Sequence, residues 1–233
     1  MTTSRRPYMR GTGPGAITPD GCAVECYAQL RAREEPGLIH GVLTENASIL
    51  ELGAGTGRIT HPLVALGHPV VAVDESPDML EHVRQAEVVC CPIELLDLGR
   101  RFDAVVLMSF LIEVPDDDLV RAFLRTCRNH VRENGCVILE RHRPGWHDTV
   151  EPGEFVDDLG RTIRWRDISH PAPGLVAITV DYETDSARWT HSFMTRRLDD
   201  DRLASELSSA DLEIDAFLTP DRRWVRAIPA RRT

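Results

Sequence analysis

Residues 49–60 read Ile-Leu-Glu-Leu-Gly-Ala-Gly-Thr-Gly-Arg-Ile-Thr, an apolar strand that breaks into three alternating glycines and passes at once into a helix. Glycine accepts positive φ and carries no Cβ, so such a turn leaves bare main chain at the carboxyl end of a strand. Open α/β sheets take their ligands there. The spacing separates ligand classes. A dinucleotide fingerprint, GxGxxG, needs its third glycine at position 58, and Arg58 stands there instead. The observed GxGxG has no gap for a pyrophosphate and puts Glu51 inside the approach to the loop.

The pattern around this loop alternates strand and helix. Strands are expected at 48–53, 70–73, 88–91, 102–108 and 136–139. Between them the pattern predicts helices over 58–66, from the capping Ser76 to about 85, and over 116–131. Parallel strands need helix-length crossovers, so this rhythm implies a parallel sheet covered on both faces. An earlier helical pattern, 21–43, is broken at Pro36-Gly37. After residue 141 the period changes to two: 162–168, 175–182 and 188–195 read as an antiparallel meander. A helix over 200–210 and two strands, 213–218 and 224–228, close the chain. The organisation expected is a helical cap at 1–43, an α/β core formed by 44–141 with 198–233, and an inserted antiparallel sheet at 142–197.

Composition removes several classes of function. All 27 basic residues are Arg, which excludes a P-loop and Schiff-base chemistry through a Lys amine. A formal net charge of -10 argues against a nucleic-acid partner. The basic tail carrying Arg222, Arg223, Arg226, Arg231 and Arg232 reads as a solvated chain end. Six Cys without CxxC or zinc-finger spacing predict reduced thiols and no metal site; Cys90, Cys127 and Cys136 read as small core residues. The longest apolar run, 104–112, is far short of the roughly 20 residues a membrane span requires. The first residues lack a secretory pattern, so a cytoplasmic location is expected.

Asp74 ends the second strand. A carboxylate there can accept two hydrogen bonds from vicinal ribose hydroxyls. Met79, on the next helix, is placed either to lie on an adenine face or to pack in the core. With Leu-Glu-Leu-Gly-Ala-Gly-Thr-Gly, Val-Ala-Val-Asp-Glu-Ser-Pro-Asp-Met-Leu and Phe-Asp-Ala-Val-Val-Leu-Met-Ser in this order, residues 45–141 resemble the class I S-adenosylmethionine-dependent methyltransferases. The resemblance implies a Rossmann-like three-layer fold whose mostly parallel seven-stranded sheet has an antiparallel last strand. S-adenosylmethionine would be the cofactor and S-adenosylhomocysteine the product. It further implies that Glu51, Gly53, Ala54 and Gly55, with Gly57 and Arg58 completing the loop, line the methionine part. Asp74 would hold the ribose, Glu75 and Met79 would border the adenine, and Met108 and Ser109 would face the methionine moiety and the acceptor. The family's acidic pair after the third strand is replaced here by Cys91-Pro92-Ile93-Glu94, which leaves the Ile93 N–H, or Glu94, to read the adenine edge.

Methyl transfer from a sulfonium needs proximity and exclusion of water, and a base only where the nucleophile must lose a proton. His142 and His147, past the fifth strand, and Glu113 are the catalytic candidates, with Tyr8, Tyr27 and His61 as further polar groups. Six of the 13 aromatics (Trp146, Phe155, Trp165, Tyr182, Trp189 and Phe193) fall in the inserted sheet. The insert resembles the substrate lid of small-molecule N-methyltransferases, although the rings equally serve as that sheet's own core. The expected activity is methylation of nitrogen or oxygen on a small, natural-product-like acceptor. A protein that binds the cofactor without methylating, and a nicotinamide dehydrogenase, stand as alternatives. A homodimer is one option for assembly.

Overall fold

The computed structural model describes residues 7–231. In chain order the elements are β1 (Met9–Thr12), α1 (Val24–Tyr27), α2 (Glu35–Gly41), β2 (Ile49–Leu52), α3 (Thr60–Ala65), β3 (Val70–Asp74), α4 (Pro77–Leu80), β4 (Glu87–Cys90) and β5 (Phe102–Leu107). They continue with α5 (Asp117–His130), β6 (Val131–Glu140), α6 (Trp146–Thr149), β7 (Gly153–Val156), β8 (Thr162–Ser169), β9 (Leu175–Glu183), β10 (Arg188–Arg196), α7 (Asp200–Ser208), β11 (Leu212–Phe217) and β12 (Trp224–Pro229). The chain divides into two compact units. One comprises residues 31–144 with 198–233, the other the residues up to 30 with 145–197.

The first unit holds the seven-stranded sheet, in the order β11-β12-β6-β5-β2-β3-β4. β2 lies parallel between β3 and β5, β4 is parallel to β3 and β6 to β5, and β12 alone runs against the rest, antiparallel to both β6 and β11. This is the Rossmann-like fold expected from the sequence. The direction of strand progression reverses between β2 and β5, so the loops leaving those two strands diverge and open a crevice. β2 is buried along its whole length, as a central parallel strand must be. On one face Ile49, Val70, Ala104, Val106 and Ile138 pack with Ile39, Leu63 and Trp224. Helix α5 runs on β5 and β6 and buries Val120, Phe123, Leu124 and Cys127. Asp116 caps it by accepting the Leu119 N–H at 3.0 Å, and acids in its first turn with Arg128 and His130 in its last match the helix dipole.

The second unit is a five-stranded antiparallel sheet, β1-β10-β9-β8-β7. Within it, Ala23, Cys26 and Trp189 form one apolar cluster with Tyr27 and Tyr182, and Ile163, Ile178 and Val180 form another with Trp165 and Phe193. Asp181, buried in this unit, accepts hydrogen bonds from Arg166 and Thr190 at 2.7 Å and from Arg188 at 2.6 Å.

Several sequence expectations change. The segment expected as a helical cap instead contributes β1, whose Met9 pairs with Phe193 and Thr12 with Thr190. A Cβ on Gly11 would sit 1.9 Å from the Gly21 carbonyl oxygen, so the two glycines let main chain approach main chain, and among the described residues no helix precedes Val24. Pro36, read as a helix breaker, lies in the first turn of α2, where its missing N–H has no intrahelical role. Cys90, expected in the core, is exposed on the edge strand β4, while Cys127 and Cys136 are buried. The basic tail is not a solvated end. Arg222 and Arg226 pair with Asp200 and Asp215 at 2.6 Å, and Arg223 pairs with the buried Glu140. Arg232 lies outside the described residues.

Truncating Phe123, fully buried under α5, should destabilise the protein by about 3–5 kcal/mol. Arg121→Ala, which removes only an exposed pair with Asp118, should leave the urea midpoint unchanged. Equal shifts for the two variants would contradict this placement of the core.

Candidate functional site

At the carboxyl end of β2 the chain turns through Gly53, Gly55 and Gly57, all at positive φ. The amides of Gly53 and Ala54 both donate to the Val73 carbonyl at 2.9 Å, which ties the loop to β3. A Cβ on Gly53 would meet only the end of the Leu111 side chain, Cδ1 at 2.6 Å, so it is the φ of +73° that favours glycine here. A Cβ on Gly55 would meet nothing within 4 Å: here the main chain borders open space, with φ at +56°. The Asp74 carboxylate spans the turn, Oδ2 accepting the Gly55 N–H at 2.8 Å and Oδ1 the Ser76 N–H at 2.9 Å. A carboxylate only accepts, which is the chemistry that the hydroxyls of a diol require.

Glu51, on β2, is 2 % exposed and accepts the Thr60 hydroxyl at 2.6 Å. Burial pushes its carboxyl up to about 7, against the opposing hydrogen bond from Thr60 and the nearby charge of Arg58, with Asp74 adding to the rise. Arg58 also has a partner outside the loop. Its guanidinium binds Glu35 at 2.5 Å, and Glu35 also takes the Arg33 N–H at 2.5 Å. Burial raises the Glu35 carboxyl, but these partners outweigh it and hold the group below its usual range. Arg58 therefore anchors the start of α3 to α2.

Of the remaining cofactor candidates, Glu75 is half-buried beside Asp74 and Met79 is buried, its amide capped by Ser76 at 3.3 Å. Ile93 opens a 3-10 turn with its side chain buried, and its carbonyl accepts the Thr126 hydroxyl at 2.9 Å. Met108 belongs to the core cluster at 2 % exposure.

Beyond Met108 the backbone is unusual. Ser109 and Phe110 are successive left-handed residues, φ 56° and 60°, at a cost of about 1–3 kcal/mol each. The Ser109 N–H is held by Glu140 Oε2 at 2.8 Å, and the other Glu140 oxygen takes the Arg223 Nε–H at 3.0 Å. Glu113, 1 % exposed, grips His142 twice: Oε1 accepts the backbone N–H at 2.9 Å and Oε2 lies 2.5 Å from Nδ1. The Phe110 ring stacks on the His142 imidazole, centroids 4.0 Å apart and planes 12° from parallel, and the Arg223 guanidinium lies 5.3 Å from the Phe110 centroid. The structure thus brings Glu113 and His142 together. It adds Phe110, Glu140 and Arg223, which the sequence did not mark. An acid at the end of one strand and an Arg at the start of its antiparallel neighbour was the only available signal.

In the antiparallel unit, His147 is 3 % exposed, with Nε2 3.4 Å from the Thr195 hydroxyl. His170 Nε2 lies 3.1 Å from the His147 carbonyl. The Tyr8 carbonyl accepts the Met194 N–H at 3.0 Å, and Tyr27 is packed in that unit's core. Of the aromatics, Trp189 is buried with its indole N–H on the Pro14 carbonyl, and Phe155 is exposed. His61 accepts the Arg84 N–H at 3.0 Å in the other unit.

Residues 49–135 match a family described as methyltransferase domain. An uncharacterised methyltransferase of Mycobacterium tuberculosis is 45 % identical over 145 residues, which cover 62 % of this chain and 47 % of that protein. A ubiquinone biosynthesis O-methyltransferase of Bradyrhizobium diazoefficiens is 28 % identical over 106 residues, 42 % of this chain and 41 % of its own length. The chain thus spans less than half the length of these relatives. Among solved structures, the CcbJ methyltransferase of Streptomyces caelestis superposes with a TM-score of 0.73 at 17 % identity, covering 89 % of this chain and 96 % of the other. A sugar N-methyltransferase of Streptoalloteichus superposes at 0.67 with 19 % identity, covering 84 % and 85 %. Both likenesses show the shared fold.

Folded, Glu51 keeps its proton up to about pH 7; unfolded, it releases it near the ordinary 4.5. The unfolded chain therefore binds fewer protons between those values, and stability falls as pH rises through that window. Glu51→Gln should remove the loss. The variant should exceed the parent by about 1–3 kcal/mol at pH 8, with the difference vanishing near pH 4. Parallel stability curves for the two proteins would show that Glu51 is ionised throughout.

Proposed function

We propose, on the premise that residues 49–135 form a methyltransferase domain on the class I fold, that this chain transfers the methyl group of S-adenosylmethionine to a nitrogen or oxygen of a small molecule. The single observation that carries the reading is the Gly53–Gly57 turn, whose main chain borders open space at Gly55 while Asp74 spans it. These residues fit the cofactor. The amides and Glu51 suit a ligand with an amino acid end, Asp74 suits a ribose diol, and Glu75, Met79 and the Ile93 segment suit a purine. When bound, that cofactor supplies a methyl carbon on positive sulfur; the new bond to the acceptor forms as the carbon–sulfur bond breaks, leaving its electron pair on sulfur.

The chain's own part is to hold the acceptor in line and keep water out, the source of most of the acceleration in such a displacement. Ser109 and the groups after β5 and β6 would face the acceptor. His142, with Glu113, would take the acceptor's proton, and His147 would serve as a second polar group. The antiparallel unit would act as the acceptor lid, with a sugar amine or a related natural-product amine as the first acceptor to test. Among the described residues no helix is long and apolar enough to cross a membrane. A cytoplasmic enzyme, monomeric or homodimeric, is the form proposed.

Calorimetry with S-adenosylmethionine and its demethylated product, followed by product release against a panel of amino sugars and phenols, tests this. Asp74→Ala should weaken cofactor binding by about 100-fold or more, since two bonds to a charged acceptor are lost along with the clamp on Gly55. Absence of binding by the folded parent protein would overturn the proposal. Tight binding with no turnover on any acceptor would favour a cofactor-binding protein that does not methylate.

A further inference from the structure

We propose that Phe110 is a positioning residue: it holds the His142 imidazole in the one orientation and tautomer in which Nε2 can take the acceptor's proton. This rests on the methyl-transfer reading for its chemistry but not for its geometry.

His142 is fixed at both ends of its side chain. A carboxylate accepts and does not donate, so Glu113 Oε2, 2.5 Å from Nδ1, places the ring hydrogen on Nδ1 and makes Nε2 the accepting nitrogen. The same carboxylate takes the His142 backbone N–H at 2.9 Å, so a change in its position would move ring and main chain together. A hydrogen bond at Nδ1 by itself does not fix rotation of an imidazole about the N–O axis. The Phe110 ring, 4.0 Å away and within 12° of parallel, removes that freedom.

Phe110 reaches this place only because Ser109 and Phe110 both take left-handed backbone, a conformation that bulky residues avoid. Backbone of this kind persists where the surroundings over-determine it. Here Glu140 binds the Ser109 N–H, and Arg223, itself bound to Glu140, lies 5.3 Å from the Phe110 centroid. Three elements, the turn after β5, the end of β6 and the start of β12, thus converge on the plane of one imidazole. An ordinary turn at 109–110 would swing the phenyl ring off His142. In the reaction, the proton lost by the acceptor nitrogen or oxygen passes to Nε2, and the resulting imidazolium returns it to water.

The test uses the full chain and two readouts. Nitrogen-15 spectra of the imidazole at alkaline pH, without cofactor, should show His142 as the Nδ1–H tautomer in the parent and a mixture in Phe110→Leu. Phe110→Tyr and Phe110→Trp should keep the parent pattern. With the donor and an acceptor turned over by the parent, Phe110→Leu should lower kcat about 10- to 100-fold, the scale of a small misplacement of a reacting group. The KM for the donor should stay within about twofold, and either aromatic variant should restore most of the rate. An Nε2–H tautomer in the parent, an unchanged tautomer in Phe110→Leu, or an equal rate for Phe110→Leu and the parent would each overturn the assignment. A parent that turns over no acceptor removes the proton-accepting role along with methyl transfer, and the tautomer measurement then decides the positioning role alone.

Discussion

The two hydrogen bonds of Asp74 hold the site together. Main chain left bare by three glycines has no side chains to fix it, and backbone entropy would spread such a loop over many shapes. Asp74 counters this from the neighbouring strand, taking the Gly55 and Ser76 amides on separate oxygens. Because β3 runs parallel to β2 with Leu52 opposite Val73, the carboxylate arrives beside the turn without any further device. One acid thereby fixes the end of β2, the start of α4 and the crevice between them.

Four acids gather at this end of the sheet, and each is accommodated differently. Asp74 is satisfied by amides, Glu140 by an Arg and an amide, and Glu113 by the ring and backbone of one His. Glu51 is buried with a hydroxyl as its close partner, and its carboxyl is pushed up to about 7. A buried carboxylate without a cation is costly unless it is protonated or meets a positive group. That cost places an adjustable charge at the strand where the glycine turn begins.

The sequence made the α/β core legible because period and spacing are local. Buried strands at 49–52, 70–74 and 102–107, the capping Ser76 and Asp116, and the glycine turn all follow from neighbouring residues. The N-terminal segment was misread for the opposite reason. Met9–Thr12 is a strand only because β10 offers it an edge, a pairing that no local pattern encodes. Arg222, Arg223 and Arg226 looked like a solvated tail because their acids, Asp200, Glu140 and Asp215, are distant in sequence or lie across a hairpin. Half of the candidate site was visible in the same way: the glycines and Asp74 sit in a motif, whereas Phe110 matters through two left-handed φ angles that its sequence neighbours do not announce.

The pairing of β12 with β6 also sets an order of assembly. The glycine turn and its Asp74 clamp need nothing beyond β5, so a nascent chain carries every residue for them before β6 is made. Arg223, which holds Glu140 and flanks Phe110, immediately precedes β12 and is made only after the whole antiparallel insert. β1, likewise, waits for β10 through most of synthesis. The two halves of the crevice are thus completed at different times, the glycine half early and the His142 half only once Arg223 has been made.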